Sequence, residues 1–193
     1  DIIKLSFHAH GGCDIGSRPI DLHLKGFEKL GINIKDEYGE IICETTEIKG
    51  TQINLDFPSV GATENIILAS CLGTGTTIIN NAAKEPEIED MIKYLNKMGA
   101  KINGAGTDKI EINGVKKLSE VSYSIMPDRI ETGTYLIAGA ITGSNLVVTN
   151  TNSLHIVPIL NKLEEANCRI EIEKDRIFIK SPKRVKSVDI KTL

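Results

Sequence analysis

The stretch "HAHGGCDIGSRPIDLH", residues 8–23, sets Cys13 between the pair Gly11-Gly12 and Gly16, five residues ahead of Arg18. Glycines at these positions let the backbone pass close to a ligand or move as a lid. Ser17, Arg18 and Pro19 then open a helix, whose free N–H groups and dipole suit a phosphate or a carboxylate. Arg18 adds a permanent planar charge for the same anion. A thiol beside such positive potential ionises more readily than a free cysteine. Together these types suggest covalent or acid–base chemistry on a phosphorylated substrate. The same residues also allow a plainer arrangement, with Cys13 a small residue in a tight turn and Arg18 a surface charge.

Other reactive types are scattered. His8, His10 and Cys13 are zinc-ligand types within six residues, but a tetrahedral site needs a fourth ligand that the stretch does not name, so a zinc site is not expected. His23 and His155 fall where helix-surface residues would. Glu85 and Glu87 open a helix, where the dipole favours acids. Cys43, Cys71 and Cys168 lie in the apolar runs "EIICE", "ILASCLG" and "EANCRI" without CxxC spacing. They are expected as reduced core residues of a cytoplasmic protein.

The elements that would position this chemistry repeat. "FEKLGINIKDEYGEIICE", "YLNKMGAKINGAGTDKIEI" and "KLEEANCRIEIEKDRIFIK" align with Leu30, Met98 and Ala166 at 68-residue intervals. Each copy ends an amphipathic helix, turns at Gly or Asn, and enters alternating strands around a polar turn. In "EPEIEDMIKYLNKMG" one helical face gathers Ile88, Met91, Ile92, Leu95 and Met98; Ile20, Leu24 and Phe27 form the matching stripe earlier, with Pro19 in the opening turn. A second helix type precedes two copies, in "ATENIILASCLGTGTTIIN" and "ETGTYLIAGAITGSNLVVTN", with Gly75 and Gly143 again 68 apart. Being apolar nearly all round, these helices should be covered on both faces. The unit is thus buried helix, strand, amphipathic helix and hairpin, and the first copy lacks its front half. A domain with threefold internal pseudo-symmetry suits this pattern.

The 193 residues are 40% hydrophobic and 25% charged, enough for one sizeable core or two small ones. A net charge of -3 gives no bulk attraction to nucleic acid, and no apolar run approaches the roughly 20 residues of a membrane span. Neither partner is expected. The basic "KSPKRVKSVDIK" is expected as a solvated tail.

"GGCDIGSRPIDLHLKGFEKLG" resembles the active-site loop and following helix of bacterial UDP-N-acetylglucosamine 1-carboxyvinyltransferases. The likeness continues through "FPSVGATENIILAS", "GTTIINNAAKEPEIEDMIKYLNKMGAKINGAGTDKI" and "MPDRIETGTYLIAGAI", nearly the whole chain from Gly11. It implies an α/β prism, an inside-out α/β barrel of pseudo-threefold repeats. Units at about 1–56 (partial), 57–126 and 127–193 would make most of one domain, with the second domain absent. It also implies transfer of the enolpyruvyl group of phosphoenolpyruvate to the 3-hydroxyl of UDP-N-acetylglucosamine, opening peptidoglycan synthesis, without a cofactor. Cys13 would protonate the methylene carbon and be the thiol that fosfomycin alkylates. Arg18 would contact phosphoenolpyruvate. Pro19, Ile20, Asp21 and Leu22 would cradle the uridine end, and Ser59, Val60 and Gly61 would form a nucleotide-contacting turn entered by Phe57 and Pro58.

The chain departs from that pattern in places. The family has proline directly before Gly-Gly-Cys, where this chain has "SFHAHGGC", and some relatives carry lysine where Phe57 stands. The lysine–asparagine pair, further arginines and an aspartate base of the family have no counterpart here. The expectation is therefore a fragment of such an enzyme, inactive alone, with a non-catalytic binding or regulatory paralogue of the same fold as the alternative.

Overall fold

The computed structural model describes residues 2–8 and 20–191, and the chain divides into two compact units, Asp1–Ser124 and Ile125–Leu193. The first unit runs β1 (Ile3–His8), α1 (Asp21–Lys29), β2 (Asn33–Glu37), β3 (Glu40–Thr45), β4 (Gln52–Asn54), α2 (Val60–Cys71), β5 (Thr76–Asn80), α3 (Pro86–Lys97), β6 (Lys101–Asn103) and β7 (Lys109–Asn113). The second runs α4 (Arg129–Ile141), β8 (Asn145–Thr149), a 3-10 turn at Ser153–His155, α5 (Val157–Glu165), β9 (Arg169–Glu173) and β10 (Arg176–Lys180).

Strand, helix and hairpin recur three times, and each time the leading strand pairs antiparallel with the hairpin's last strand: β1-β3-β2, β5-β7-β6 and β8-β10-β9. The helix ends explain the 68-residue spacing. Gly31, Gly99 and Asn167 take left-handed φ of 88°, 104° and 68° directly after the caps Leu30, Met98 and Ala166. The next residue then donates back to the helix, Ile32 to Phe27 at 3.1 Å, Ala100 to Leu95 and Cys168 to Leu163 at 3.0 Å each. This turn satisfies carbonyls the helix leaves open and aims the chain into the next strand.

The first unit buries Ile66 and Ile67 of α2, Ile79 of β5, Ile88 and Ile92 of α3, and Ile110 and Ile112 of β7, all at most 2% exposed. The second buries Leu136, Ile156, Leu160, Ile177 and Ile179.

Several expectations are corrected. The first copy does have a leading strand, β1, whose Ile3 and Leu5 are each 62% exposed, so no buried face marked it in the sequence. β4, three residues long, gave no periodic signal. α2 and α4 are not covered all round, since Leu68 and Leu72, and Ile130, Tyr135, Ile137 and Ile141, are exposed. The buried line of α1 is Leu22, Gly26 and Leu30, one helical turn apart, with Phe27 packed beside it and Leu24 half-buried. Cys43 is half-buried rather than core, while Cys71 and Cys168 are buried. The basic tail is docked at one point: Val185 packs on the second core and the Lys186 N–H donates to the Ala166 carbonyl at 3.0 Å.

Candidate functional site

Cys13, Arg18 and Pro19 fall outside the described residues, so the site is built here from Ile20, Asp21 and Leu22 and from Phe57 to Gly61. Ile20 caps α1 through its main chain, its carbonyl accepting from Leu24 N–H at 3.0 Å, and Asp21 is exposed in the first turn. Leu22 is 5% exposed and belongs to the core, so its main chain alone can meet a ligand. Phe57 and Pro58 are exposed, leading into the half-buried Ser59, Val60 and Gly61.

Ser59 is why α2 starts there. Its hydroxyl accepts from Ala62 N–H at 3.3 Å, and its carbonyl accepts from the Thr63 hydroxyl at 2.7 Å. Thr63 is itself buried and accepts from the Ala83 N–H at 3.1 Å, tying α2 to the turn before α3.

The packing of α1 on α2 brings the two segments together. Gly26 is required at the crossing: a methyl built there would lie 2.6 Å from Cδ1 of the fully buried Ile66. A turn earlier on α1, His23 Nδ1 stands 2.8 Å from the Asn65 amide nitrogen of α2. With that amide nitrogen as the donor, the ring accepts at Nδ1 and its proton is on Nε2. His23 Cε1 also lies 3.1 Å from the place a Gly61 side chain would begin. Lys25 pairs with Asp56 at 2.9 Å, just before Phe57. His23 therefore bridges the two helices and is no ordinary surface residue, a role that no local pattern in the sequence marks.

Electrostatics agree with that placement. Burial lowers the His23 pKa below 6.5, with Asp21 opposing the shift, so the ring is neutral where it meets Asn65. Burial, and then the nearby Glu87, raise Glu64 of α2 above the ordinary carboxylate value. Cys71 is pushed up to about 11 by burial and is inert at neutral pH. A cleft of about 440 Å³ between α1 and β4 takes in Leu22, Lys25 and Asp56, but none of Phe57 to Gly61. His155 lies in the 3-10 turn with Nε2 3.0 Å from the Asn152 amide. Among the described residues no group of three or more His, Cys, Asp or Glu could hold a metal, and no helix is long and apolar enough to cross a membrane; His10, of the histidine–cysteine cluster, is outside them with Cys13.

The EPSP synthase (3-phosphoshikimate 1-carboxyvinyltransferase) family model matches residues 3–193. UDP-N-acetylglucosamine 1-carboxyvinyltransferase 2 of Caldanaerobacter subterraneus subsp. tengcongensis is 54% identical over 180 residues, covering 93% of this chain and 43% of the relative. UDP-N-acetylglucosamine 1-carboxyvinyltransferase 1 of Staphylococcus aureus MRSA252 is 53% identical over 184 residues, covering 95% and 44%. Among solved structures, the enolpyruvyl transferase NikO from Streptomyces tendae superposes with a TM-score of 0.77 at 20% identity, over 93% of this chain and 44% of that one. EPSP synthase from Acinetobacter baumannii superposes with a TM-score of 0.61 at 22% identity, over 84% and 40%. These structural likenesses establish a shared α/β fold. The chain spans less than half the length of the curated relatives it matches.

Proposed function

Because the chain belongs to the EPSP synthase (3-phosphoshikimate 1-carboxyvinyltransferase) family, we propose that it carries the reactive loop and nucleotide-contacting segments of a longer enzyme. That enzyme moves the enolpyruvyl group of phosphoenolpyruvate onto UDP-N-acetylglucosamine, in the cytoplasm, at the opening of peptidoglycan synthesis. The observation that carries this reading is the 50–54% identity to relatives of that name across nearly all of the chain.

In this mechanism Arg18 and the start of α1 hold the anionic donor. The Cys13 thiol gives its proton to the methylene carbon, leaving the neighbouring carbon electron-poor. The sugar hydroxyl adds there and loses its proton. Departure of phosphate with a proton from the methyl group restores the double bond. Ile20 to Leu22 and Ser59 to Gly61, aligned by the α1–α2 packing, take the nucleotide. Fosfomycin competes by alkylating the same sulfur.

The test is phosphate release by the longer protein. Release with UDP-N-acetylglucosamine but not with shikimate 3-phosphate supports the reading, and the reverse preference overturns it. Saturable UDP-N-acetylglucosamine binding without phosphate release would favour the non-catalytic paralogue that the "HAH" departure suggests.

A further inference from the structure

Pro58, Lys84 and Glu85 line an open cleft of about 330 Å³ beside the start of α2. The main chain fixes Lys84 there. Ala82 and Ala83, the two residues before it, are fully buried. The Ala82 N–H donates to the Asp108 carbonyl at 2.9 Å, and the Ala83 N–H donates to the Thr63 hydroxyl oxygen at 3.1 Å. That hydroxyl donates in turn to the Ser59 carbonyl at 2.7 Å. At the front of the same turn the Asn81 amide donates to the Leu55 carbonyl at 3.0 Å. Two hydrogen bonds therefore connect the residue before Lys84 with Ser59, and the turn that carries the lysine is held against the segment that starts α2.

The fold makes little use of the Lys84 side chain. It is 59% exposed, and its ion pair with the equally exposed Asp108 is loose at 3.9 Å, a contact of small worth. The segment from Phe57 to Gly61 has no charged residue of its own. Lys25 is taken up by Asp56 at 2.9 Å and lines the other cleft, against α1. Ser59 accepts from the N–H groups of Ala62 and Thr63, and those of Val60 and Gly61 precede them in the first turn, where a helix has no partner of its own to offer. Glu85 is the acid of the lining. Its carbonyl caps α3 by accepting from the Ile88 N–H at 3.0 Å, which leaves the carboxylate at the positive end of that helix, where its charge is offset.

We propose that Lys84 is a further substrate-binding residue, whose ammonium meets the phosphates of the nucleotide sugar at the turn from Ser59 to Gly61. The inference rests on the reading above that UDP-N-acetylglucosamine occupies that turn. A lysine suits the task as a compact point charge on a flexible stem. It moves no proton and touches no reacting atom, so its contribution falls on the KM for the nucleotide rather than on kcat.

The test is steady-state phosphate release by the longer protein carrying Lys84→Met, Lys84→Arg or Asp108→Asn. Lys84→Met is expected to raise the KM for UDP-N-acetylglucosamine about tenfold, the worth of one partly solvated charge-assisted hydrogen bond, with kcat and the KM for phosphoenolpyruvate within about twofold of wild type. Lys84→Arg keeps the charge and stays within about threefold of wild type. Asp108→Asn removes the ion-pair partner of the lysine and leaves the KM no higher, which a merely structural Lys84–Asp108 pair would not do. If Lys84→Met unfolds by circular dichroism, Lys84→Gln takes its place with the same expectations. An unchanged KM for the nucleotide, an equal rise for phosphoenolpyruvate, no rescue by arginine, or an Asp108→Asn that reproduces Lys84→Met overturns the proposal alone. A wild-type protein that turns over shikimate 3-phosphate and not UDP-N-acetylglucosamine overturns the reading of the site, and the proposal with it.

Discussion

Two side chains separate chemistry from support at the level of single residues. Cys13 is the proposed acid, so Cys13→Ala in the longer protein should cut phosphate release by about 10²–10⁴-fold, the usual worth of a placed proton donor. A loss of less than about threefold, measured at saturating substrates, would remove the thiol from the mechanism. His23 is a positioning residue, held between α1 and α2 by Asn65. Its folded pKa lies below the unfolded 6.5, so the unfolded chain takes up the proton first as pH falls. The stability His23 contributes is full above pH 6.5 and declines as pH drops below it. His23→Gln keeps a partner for Asn65 without a titration. Urea midpoints of wild type and variant should therefore converge between pH 8 and pH 5, and a constant difference would contradict the assignment. The role proposed for Cys13, which lies outside the described residues, rests on residue types alone, because cysteine, arginine and a helix start carry chemistry in their types. The His23 bridge was not legible in the sequence, because its partner lies 42 residues away and only tertiary packing selects it.

For the elements, periodicity was a good guide where a face is buried and a poor one elsewhere. The 68-residue spacing was visible because Gly31, Gly99 and Asn167 must adopt a left-handed turn that few residues tolerate. β1 and β4 escaped notice, one being exposed on both faces and the other too short to show alternation. The α1–α2 crossing gives the sharpest prediction. Gly26→Ala improves helix propensity by about 1 kcal/mol, but overpacking against a fully buried Ile66 costs about 1–3 kcal/mol. A net loss of about 1 kcal/mol is expected in chemical denaturation, with weaker UDP-N-acetylglucosamine binding by the longer protein. A stabilised variant would show that the two helices can move apart.

Across the molecule, two cores rather than one organise the chain. Ile110→Ala and Ile177→Ala each empty a fully buried site and should cost about 2–5 kcal/mol. Hydrogen exchange should place the first loss in Asp1–Ser124 and the second in Ile125–Leu193. Equal loss of protection in both units from either change would mean that they unfold as one. The sequence revealed three copies of a unit, since local spacing records repeats, but not the break at Ser124, which follows from which contacts each copy makes. We propose above all that these residues carry the acid thiol of an enolpyruvyl transferase beside an anion site. Treating the longer protein with fosfomycin and mapping the adduct by peptide mass spectrometry tests it most directly. One equivalent is expected on Cys13, suppressed by Arg18→Ala, with Cys43, Cys71 and Cys168 untouched. An unmodified Cys13, or labelling spread over all four cysteines, would contradict it.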